Sequence, residues 1–456
     1  MAIQSINPVN GKIIKSYKED TAGKCAQKIA LAEKAWLTWR RTSFEKRAQH
    51  LLKAASLLRA RKEALAKLMA LEMGKPLRDG AGEIEKCARV CEYYAKNGAA
   101  LLKDELVKTD AKKSFITLQP IGIVLAVMPW NFPYWQSFRF IAPGLMAGNV
   151  GLLKHASNVP GCALSIEKIL LDAGFPKGVF QTLLIGSKRV PQVIEHPSVK
   201  AVTLTGSTEA GSRVAERAGA LIKKTVLELG GSDPYIVLED ADLELATTIC
   251  AQSRLINNGQ SCIAAKRFIV VRKVEKEFVK LFKEKMSNKR LGDPIMPQTE
   301  LGPMSRADLR DELHRQVLKN IKDGATCILG GNIPDFKGNH AFYSPTILTG
   351  VKKGMTGYSE ELFGPVACVI TARNEAHAIE IANDTSFGLG AAVFTKDILK
   401  GERIAREELQ AGACFVNTFV KSDPRVPFGG VKQSGYGREL GSYGIKEFVN
   451  IKTVWR

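Results

Sequence analysis

Four short segments of the 456-residue chain hold side chains whose types and spacing can do chemistry. Asn257-Asn258-Gly259-Gln260-Ser261-Cys262 is a turn-forming run that ends on a thiol, and a thiolate is a strong, polarisable nucleophile. Leu227-Glu228-Leu229-Gly230-Gly231 puts a carboxylate at the end of an apolar run, where desolvation raises its pKa toward that of a general base. Met128-Pro129-Trp130-Asn131-Phe132-Pro133 holds an Asn between two φ-locking prolines, so its side-chain amide can be aimed at a developing oxyanion. In Leu204-Thr205-Gly206-Ser207-Thr208-Glu209-Ala210-Gly211, two glycines let a backbone approach a pyrophosphate at a helix N-terminus, although the spacing is G-x-x-x-x-G and not G-x-G-x-x-G. Each segment alone also has a structural reading: a stiff turn, a buried carboxylate, a small core thiol. Together they describe an acyl-transfer site beside a dinucleotide.

Strands and helices must position these residues. Asn7-Pro8 and Asn10-Gly11 predict a hairpin within residues 1–20. Apolar spacing predicts helices over Thr21–Trp39, Ser43–Met69 and Ala81–Leu102, the second stopped by Gly74-Lys75-Pro76. Strands are then expected at Ser114–Gln119, Ile121–Met128, Val150–Lys154, Thr182–Ile185, Ala201–Thr205, Lys224–Glu228 and Tyr235–Leu238. A helix is expected at Gly161–Ala173. A second series adds strands Arg267–Val271, Thr326–Leu329 and Cys368–Thr371 and helices Glu275–Lys285, Arg306–Asp323 and Glu375–Asn383. Alternating strands and helices imply an α/β fold of two doubly wound domains with mostly parallel sheets and a cleft between them.

Composition bounds the alternatives. With 45% hydrophobic and 25% charged residues the chain is that of a folded protein. No apolar stretch approaches the roughly 18–20 residues of a membrane span, and Met1–Asn10 lacks the pattern of a secretory leader, so a cytoplasmic protein is expected. Nine irregularly spaced cysteines do not suggest a disulfide framework. Cys87 and Cys91, four apart on a helix, read better as core than as metal ligands, and no histidine spacing suggests a metal. Sixty-six basic against 46 acidic residues leave a net charge of +20, but the charges are scattered, without a basic arm or stacking motif. That argues for a solvated basic surface and against nucleic acid as a partner.

The four segments, in this order, resemble the aldehyde dehydrogenase superfamily over essentially the whole chain. Further matches are Asn7-Pro8 with Gly11, Glu72-Met73-Gly74-Lys75-Pro76, Glu361-Leu362-Phe363-Gly364-Pro365, and Pro427-Phe428-Gly429-Gly430-Val431-Lys432 with Ser434-Gly435. The resemblance implies that Cys262 is the nucleophile, Asn131 the oxyanion donor and Glu228 the base that activates hydrolytic water. It implies NAD or NADP bound through Trp130, Lys154, Ser157, Gly206, Ser207, Leu229, Glu361 and Phe363. Relatives restricted to NAD commonly carry Glu where Ser157 stands, so NADP is expected to be accepted. It further implies a dinucleotide-binding domain at 1–103 and 120–229 and a catalytic domain at 230–435. Segments 104–119 and 436–456 would form an oligomerisation arm and C-terminal strand, making a dimer or tetramer.

Within the superfamily, Arg139 faces the substrate funnel, and a bacterial subgroup of succinate-semialdehyde dehydrogenases carries Arg there. Leu153-Lys154-His155, Leu229-Gly230-Gly231-Ser232-Asp233-Pro234 and Gly437-Arg438-Glu439-Leu440 resemble that subgroup. The implied substrate is a small aldehyde with a terminal carboxylate, gripped by Arg139 with Ser422 as a polar partner. Ile256 stands where another subgroup has a second arginine, leaving Arg254 or Arg425 to supply a second charge. Glutarate semialdehyde is the alternative substrate, since one methylene is weakly discriminated. A non-catalytic nucleic-acid-binding protein on the same fold is the alternative of another class.

Overall fold

The continuous apolar runs bounded by Gly and Pro become the inner strands of two large sheets in the computed structural model, which describes residues 2–335 and 340–456. One sheet has six strands, in the spatial order Gly435–Tyr436, Lys224–Glu228, Val199–Thr205, Ile123–Met128, Val150–His155 and Phe180–Thr182. All neighbours run parallel except Gly435–Tyr436, which is antiparallel to Lys224–Glu228 with Gly435 opposite Glu228. The other sheet has seven strands, in the order Thr326–Leu329, Thr346–Thr349, Val366–Ala372, Arg267–Val271, Pro234–Val237, Gly390–Phe394 and Ala413–Val416. Only its first pair is antiparallel. Helices cover the faces, and the inner strands are buried on both sides, as parallel sheets require.

A hairpin, Ala2–Ile6 with Ile13–Lys18, opens the chain. A three-stranded antiparallel sheet joins Glu105–Leu106, Ser114–Pro120 and Val449–Trp455. No described helix is long and apolar enough to cross a membrane. All nine cysteines are free thiols, and Cys87 and Cys91 lie in the core around the six-stranded sheet.

Two expectations change in detail. The long second helix breaks at Arg61 (φ −106°, ψ 9°) into Phe44–Ala60 and Lys62–Met73. Its buried positions stay in phase across the break, from Leu58 to Leu65, so hydrophobic spacing does not mark it. The run Thr182–Ile185 is buried, but the strand is Phe180–Thr182. Beyond it, the amide and carbonyl of Leu184 bond to Asp20 and leave the ladder. Strands Thr346–Thr349, Gly390–Phe394 and Ala413–Val416 were not anticipated; they are short and lack alternation.

One buried carboxylate sets the geometry that matters most for the site. The helix Pro133–Ala147 starts on Pro133, so its N-terminal amides need an acceptor from elsewhere. Glu83, inside the helix Leu77–Leu101, provides it: Oε1 accepts from the amides of Tyr134 and Trp135, each at 2.9 Å. Its Oε2 pairs with the fully buried Lys75 ammonium, which lies 4.0 Å from the Phe132 ring centre. Glu72 does the same for the helix Pro160–Asp172, through the amides of Gly161 and Cys162. Replacing Glu83 by Ala strands both a buried ammonium and a helix end. It is expected to lower stability by about 3–5 kcal/mol, read as a clear drop in the urea midpoint, whereas Lys96→Ala at an exposed position of the same helix should barely move it.

Candidate active site

The loop carrying Cys262 is built on a left-handed run. After the helix Leu243–Leu255 the backbone turns through Asn257 (φ 53°), Asn258 (φ 57°) and Gly259 (φ 75°). Asn tolerates this region better than most residues. Gly259 is required: a Cβ there would stand 2.3 Å from the carbonyl carbon of Gly364. The two asparagines then fasten the loop outward. Asn257 Nδ2 donates to the carbonyls of Asn131 (2.8 Å) and Gln260 (3.0 Å). Asn258 Nδ2 donates to the carbonyls of Gly74 and Pro303, and its Oδ1 accepts from the Gly302 amide.

Asn131 is buried at the end of Ile123–Met128, between the two prolines, and its Nδ2 donates to the Gln260 carbonyl at 3.1 Å. The amide and the cysteine loop are therefore joined at two points, and the second Nδ2 proton remains for a further acceptor. His155 Nε2 lies 2.9 Å from the Pro133 carbonyl and steadies the same loop, and burial pulls the imidazole down to about 4, so it is neutral.

Cys262 sits half-buried on the floor of a cleft of about 910 Å³ whose wall includes Trp135, Arg139, Ser422 and Phe428. Burial pushes its thiol up to about 12, with Arg139 and Lys266 opposing and Glu361 and Glu228 reinforcing. Glu228 ends its strand between Thr205 and Gly435. Its side chain is 2% exposed, and among the described residues neither carboxylate oxygen accepts a hydrogen bond. Burial first, then Glu439, holds it well above the usual carboxylate range, against Arg139 and Arg438. Such a carboxylate is a stronger base than an exposed one. Glu439, pushed up by burial, pairs with Arg139 (Nε to Oε2 2.6 Å), and the Arg139 guanidinium stacks 4.9 Å over the Phe428 ring.

The cofactor candidates gather on the other side of Cys262. Lys266 Nζ donates to the carbonyls of Ser261 (2.9 Å) and Cys262 (2.8 Å) and pairs with Glu361 at 3.1 Å. Glu361 also accepts from the Gly231 amide, and a Cβ on Gly230 would meet its other oxygen at 2.5 Å. Phe363 meets Trp130 edge to face, ring centres 5.8 Å apart. Further along the strand ends, Lys154 and Ser157 line a second cleft of about 520 Å³. Ser207 caps the helix Thr208–Gly219 by accepting from the Ala210 amide, and Gly211 lies where a Cβ would strike Leu229 at 2.5 Å. Cations, hydroxyls and free helix amides are the donors a phosphorylated dinucleotide uses.

The aldehyde dehydrogenase family profile matches residues 1–454. The chain belongs to the aldehyde dehydrogenase family. This aldehyde dehydrogenase is 50% identical, over 455 residues and the full length of both chains, to a probable NADP(+) succinate-semialdehyde dehydrogenase of Synechocystis. It is 48% identical over the full length of both chains to succinate-semialdehyde dehydrogenase [NADP(+)] 1 of Mycobacterium tuberculosis. Among solved structures, the succinic semialdehyde dehydrogenase of Streptococcus pyogenes in complex with NADP+ superposes at a TM-score of 0.97 with 36% identity, covering 100% of both chains.

Of the sequence candidates, Cys262, Arg139, Ser422 and Arg425 line the first cleft and Lys154 and Ser157 the second, while Asn131 is tied to the Cys262 loop behind the first. Arg139 lines the substrate-side cleft, but its charge is engaged by Glu439. Ser422 lies opposite, accepting from Trp135 Nε1 (3.0 Å) and Lys86 Nζ (2.8 Å). Arg254 is fully buried, donates to the Gly259 carbonyl and does not line the cleft, so its role is to hold the cysteine loop. Arg425 lines the cleft but is held bidentately by Asp423 at 2.8 Å. Sequence reasoning missed Lys86, Lys266 and Glu439. Each looks like a surface charge in the sequence, and only partners distant in the chain, Ser422 for Lys86, Glu361 for Lys266 and Arg139 for Glu439, show it turned inward.

Because its pKa lies near 12, the Cys262 thiolate fraction rises about tenfold per pH unit across neutrality. Alkylation of the cofactor-free enzyme by iodoacetamide should follow that slope from pH 7 to 9. A plateau below pH 9 would show a thiol activated in the resting enzyme instead.

Proposed function

We propose that this enzyme oxidises succinate semialdehyde to succinate with NADP+, NAD being accepted as well. The observation that carries the reading is a single cleft holding a thiol on its floor and a basic, hydroxyl-bearing wall opposite. The relatives' names point to the same substrate and cofactor.

In this reading Cys262 Sγ adds to the aldehyde carbon. Its own amide and the second Nδ2 proton of Asn131 receive the oxyanion, in a water-poor setting where such donors are most effective. Bound NADP+ supplies the hydride acceptor. The resulting thioester on Cys262 is hydrolysed by a water that Glu228 deprotonates. The raised pKa of Glu228 suits that task, since burial makes it a stronger base than an exposed carboxylate. Lys154 and Ser157 hold the ribose 2′-phosphate, Gly206 and Ser207 the pyrophosphate, and Trp130, Leu229, Glu361 and Phe363 the nicotinamide end. The substrate carboxylate is received by the wall that includes Arg139 and Ser422. The dinucleotide-binding and catalytic halves are those drawn from sequence.

The same reading includes a homo-oligomer. The three-stranded sheet ends in Val449–Trp455 and leaves Leu106, Ile451 and Trp455 exposed, an edge that another copy can cover. It also places the enzyme in the cytoplasm, in keeping with nine free thiols. The basic excess is scattered along the sequence without a basic arm, which favours small anionic ligands over nucleic acid.

Cys262→Ala should abolish turnover while NADP+ still quenches tryptophan fluorescence; residual oxidation above a hundredth of wild type would remove Cys262 from its role. Glu228→Gln should release one equivalent of NADPH in a burst and then stall. An unaltered steady-state rate would remove Glu228. Ser157→Glu should raise KM for NADP+ by at least tenfold while leaving NAD turnover largely intact, because a carboxylate repels the 2′-phosphate.

A further inference from the structure

Among the described residues, the cleft above Cys262 is lined by six cations, of which Arg89, Lys96 and Lys421 are exposed. Arg139 is paired with Glu439. Arg425 is paired with Asp423. Lys86 differs: among the described residues it forms no ion pair, and its hydrogen bond is to a neutral hydroxyl, Ser422 Oγ, at 2.8 Å. The ammonium is half-buried, 4.1 Å from the Trp135 ring centre, and it lines the same cleft as Cys262.

The hydrogen bonds around Ser422 define a directed site. A hydroxyl has two acceptor lone pairs and one proton. Lys86 Nζ and Trp135 Nε1 both donate to Ser422 Oγ, at 2.8 and 3.0 Å, and so fill both lone pairs. The Ser422 proton must then point away from them, toward another acceptor. Lys86 keeps two unfilled N–H donors. A half-buried cation and a pre-oriented hydroxyl beside each other are the donor set for a carboxylate.

We propose that Lys86, together with Ser422, is the specificity determinant that receives the far carboxylate of the aldehyde. Arg139, paired with Glu439, lines the same cleft beside them. The inference rests on the proposed ω-carboxy aldehyde substrate and names a half-buried cation, unpaired among the described residues, that helps select it. The groups facing Lys86 fit the assignment. Arg139 and Arg89 add positive potential, while Glu83 is tied to Lys75 and Asp423 to Arg425. Burial, helped by those arginines, holds the ammonium down at about 7. An arriving carboxylate favours the charged form, so the site is strongest at or below neutral pH.

The test compares kcat/KM for succinate semialdehyde and for butanal in wild type, Lys86→Met and Lys86→Arg between pH 6 and 8.5. In wild type the acid-to-butanal ratio should be large and should fall as pH rises through about 7. Lys86→Met should lower that ratio at least tenfold, through KM for the acid, and remove its pH dependence. Lys86→Arg should restore the ratio and keep it high to pH 8.5. Butanal turnover and NADP+ binding report folding in the same samples. If wild type does not prefer the acid, the substrate reading falls and this proposal with it. If wild type prefers the acid and Lys86→Met does so equally, the proposal alone is overturned.

Discussion

Everything at the reacting end of this enzyme hangs on the Glu83 carboxylate. It is buried in one helix and accepts the first free amides of another, so it fixes where the helix Pro133–Ala147 begins. Asn131 lies just before that start; Trp135 and Arg139 lie one and two turns in. Lys75 makes the buried charge tolerable, and Gly74 before it accepts from Asn258 in the cysteine loop. One chain of contacts thus runs from the Gly74-Lys75-Pro76 turn to both the oxyanion donor and the thiol. A group that is costly to bury is used here to specify geometry.

The electrostatics follow a similar economy. Glu228 and Glu439 are two buried carboxyls that face one guanidinium, Arg139. They cannot both be ionised cheaply, so burial and mutual repulsion hold the Glu228 carboxyl above the usual carboxylate range. That makes Glu228 a stronger base than an exposed carboxylate. Arg139 lines the cleft while paired with Glu439, and Lys86 and Ser422 stand beside it.

Much of this was legible in the sequence because the relevant signals are local. Gly and Pro bracket the buried strands. Asn257-Asn258-Gly259 announces a left-handed turn, and the residue types at 131, 228 and 262 declare their chemistry. What stayed hidden depends on partners far apart in the chain. Lys86 looks like any lysine on an amphipathic helix until Ser422 and Trp135 are brought against it. Arg139 looks free until Glu439 is seen. The break at Arg61 is silent because the apolar face continues through it, and the short strands at 346, 390 and 413 owe their conformation to neighbours rather than to alternation.

The antiparallel pairing of Gly435–Tyr436 with Lys224–Glu228 has a consequence for biosynthesis. The strand that ends in the base is an edge until residues near 435 reach it, and the Leu229 amide likewise waits for the Ser434 carbonyl. A nascent chain can therefore lay down the other five strands of that sheet on the ribosome, yet it presents an open ladder there until nearly all of the sequence has emerged. The setting for the base waits on residues near 435, so a chain terminated before them carries the thiol and the cofactor turn without that setting finished.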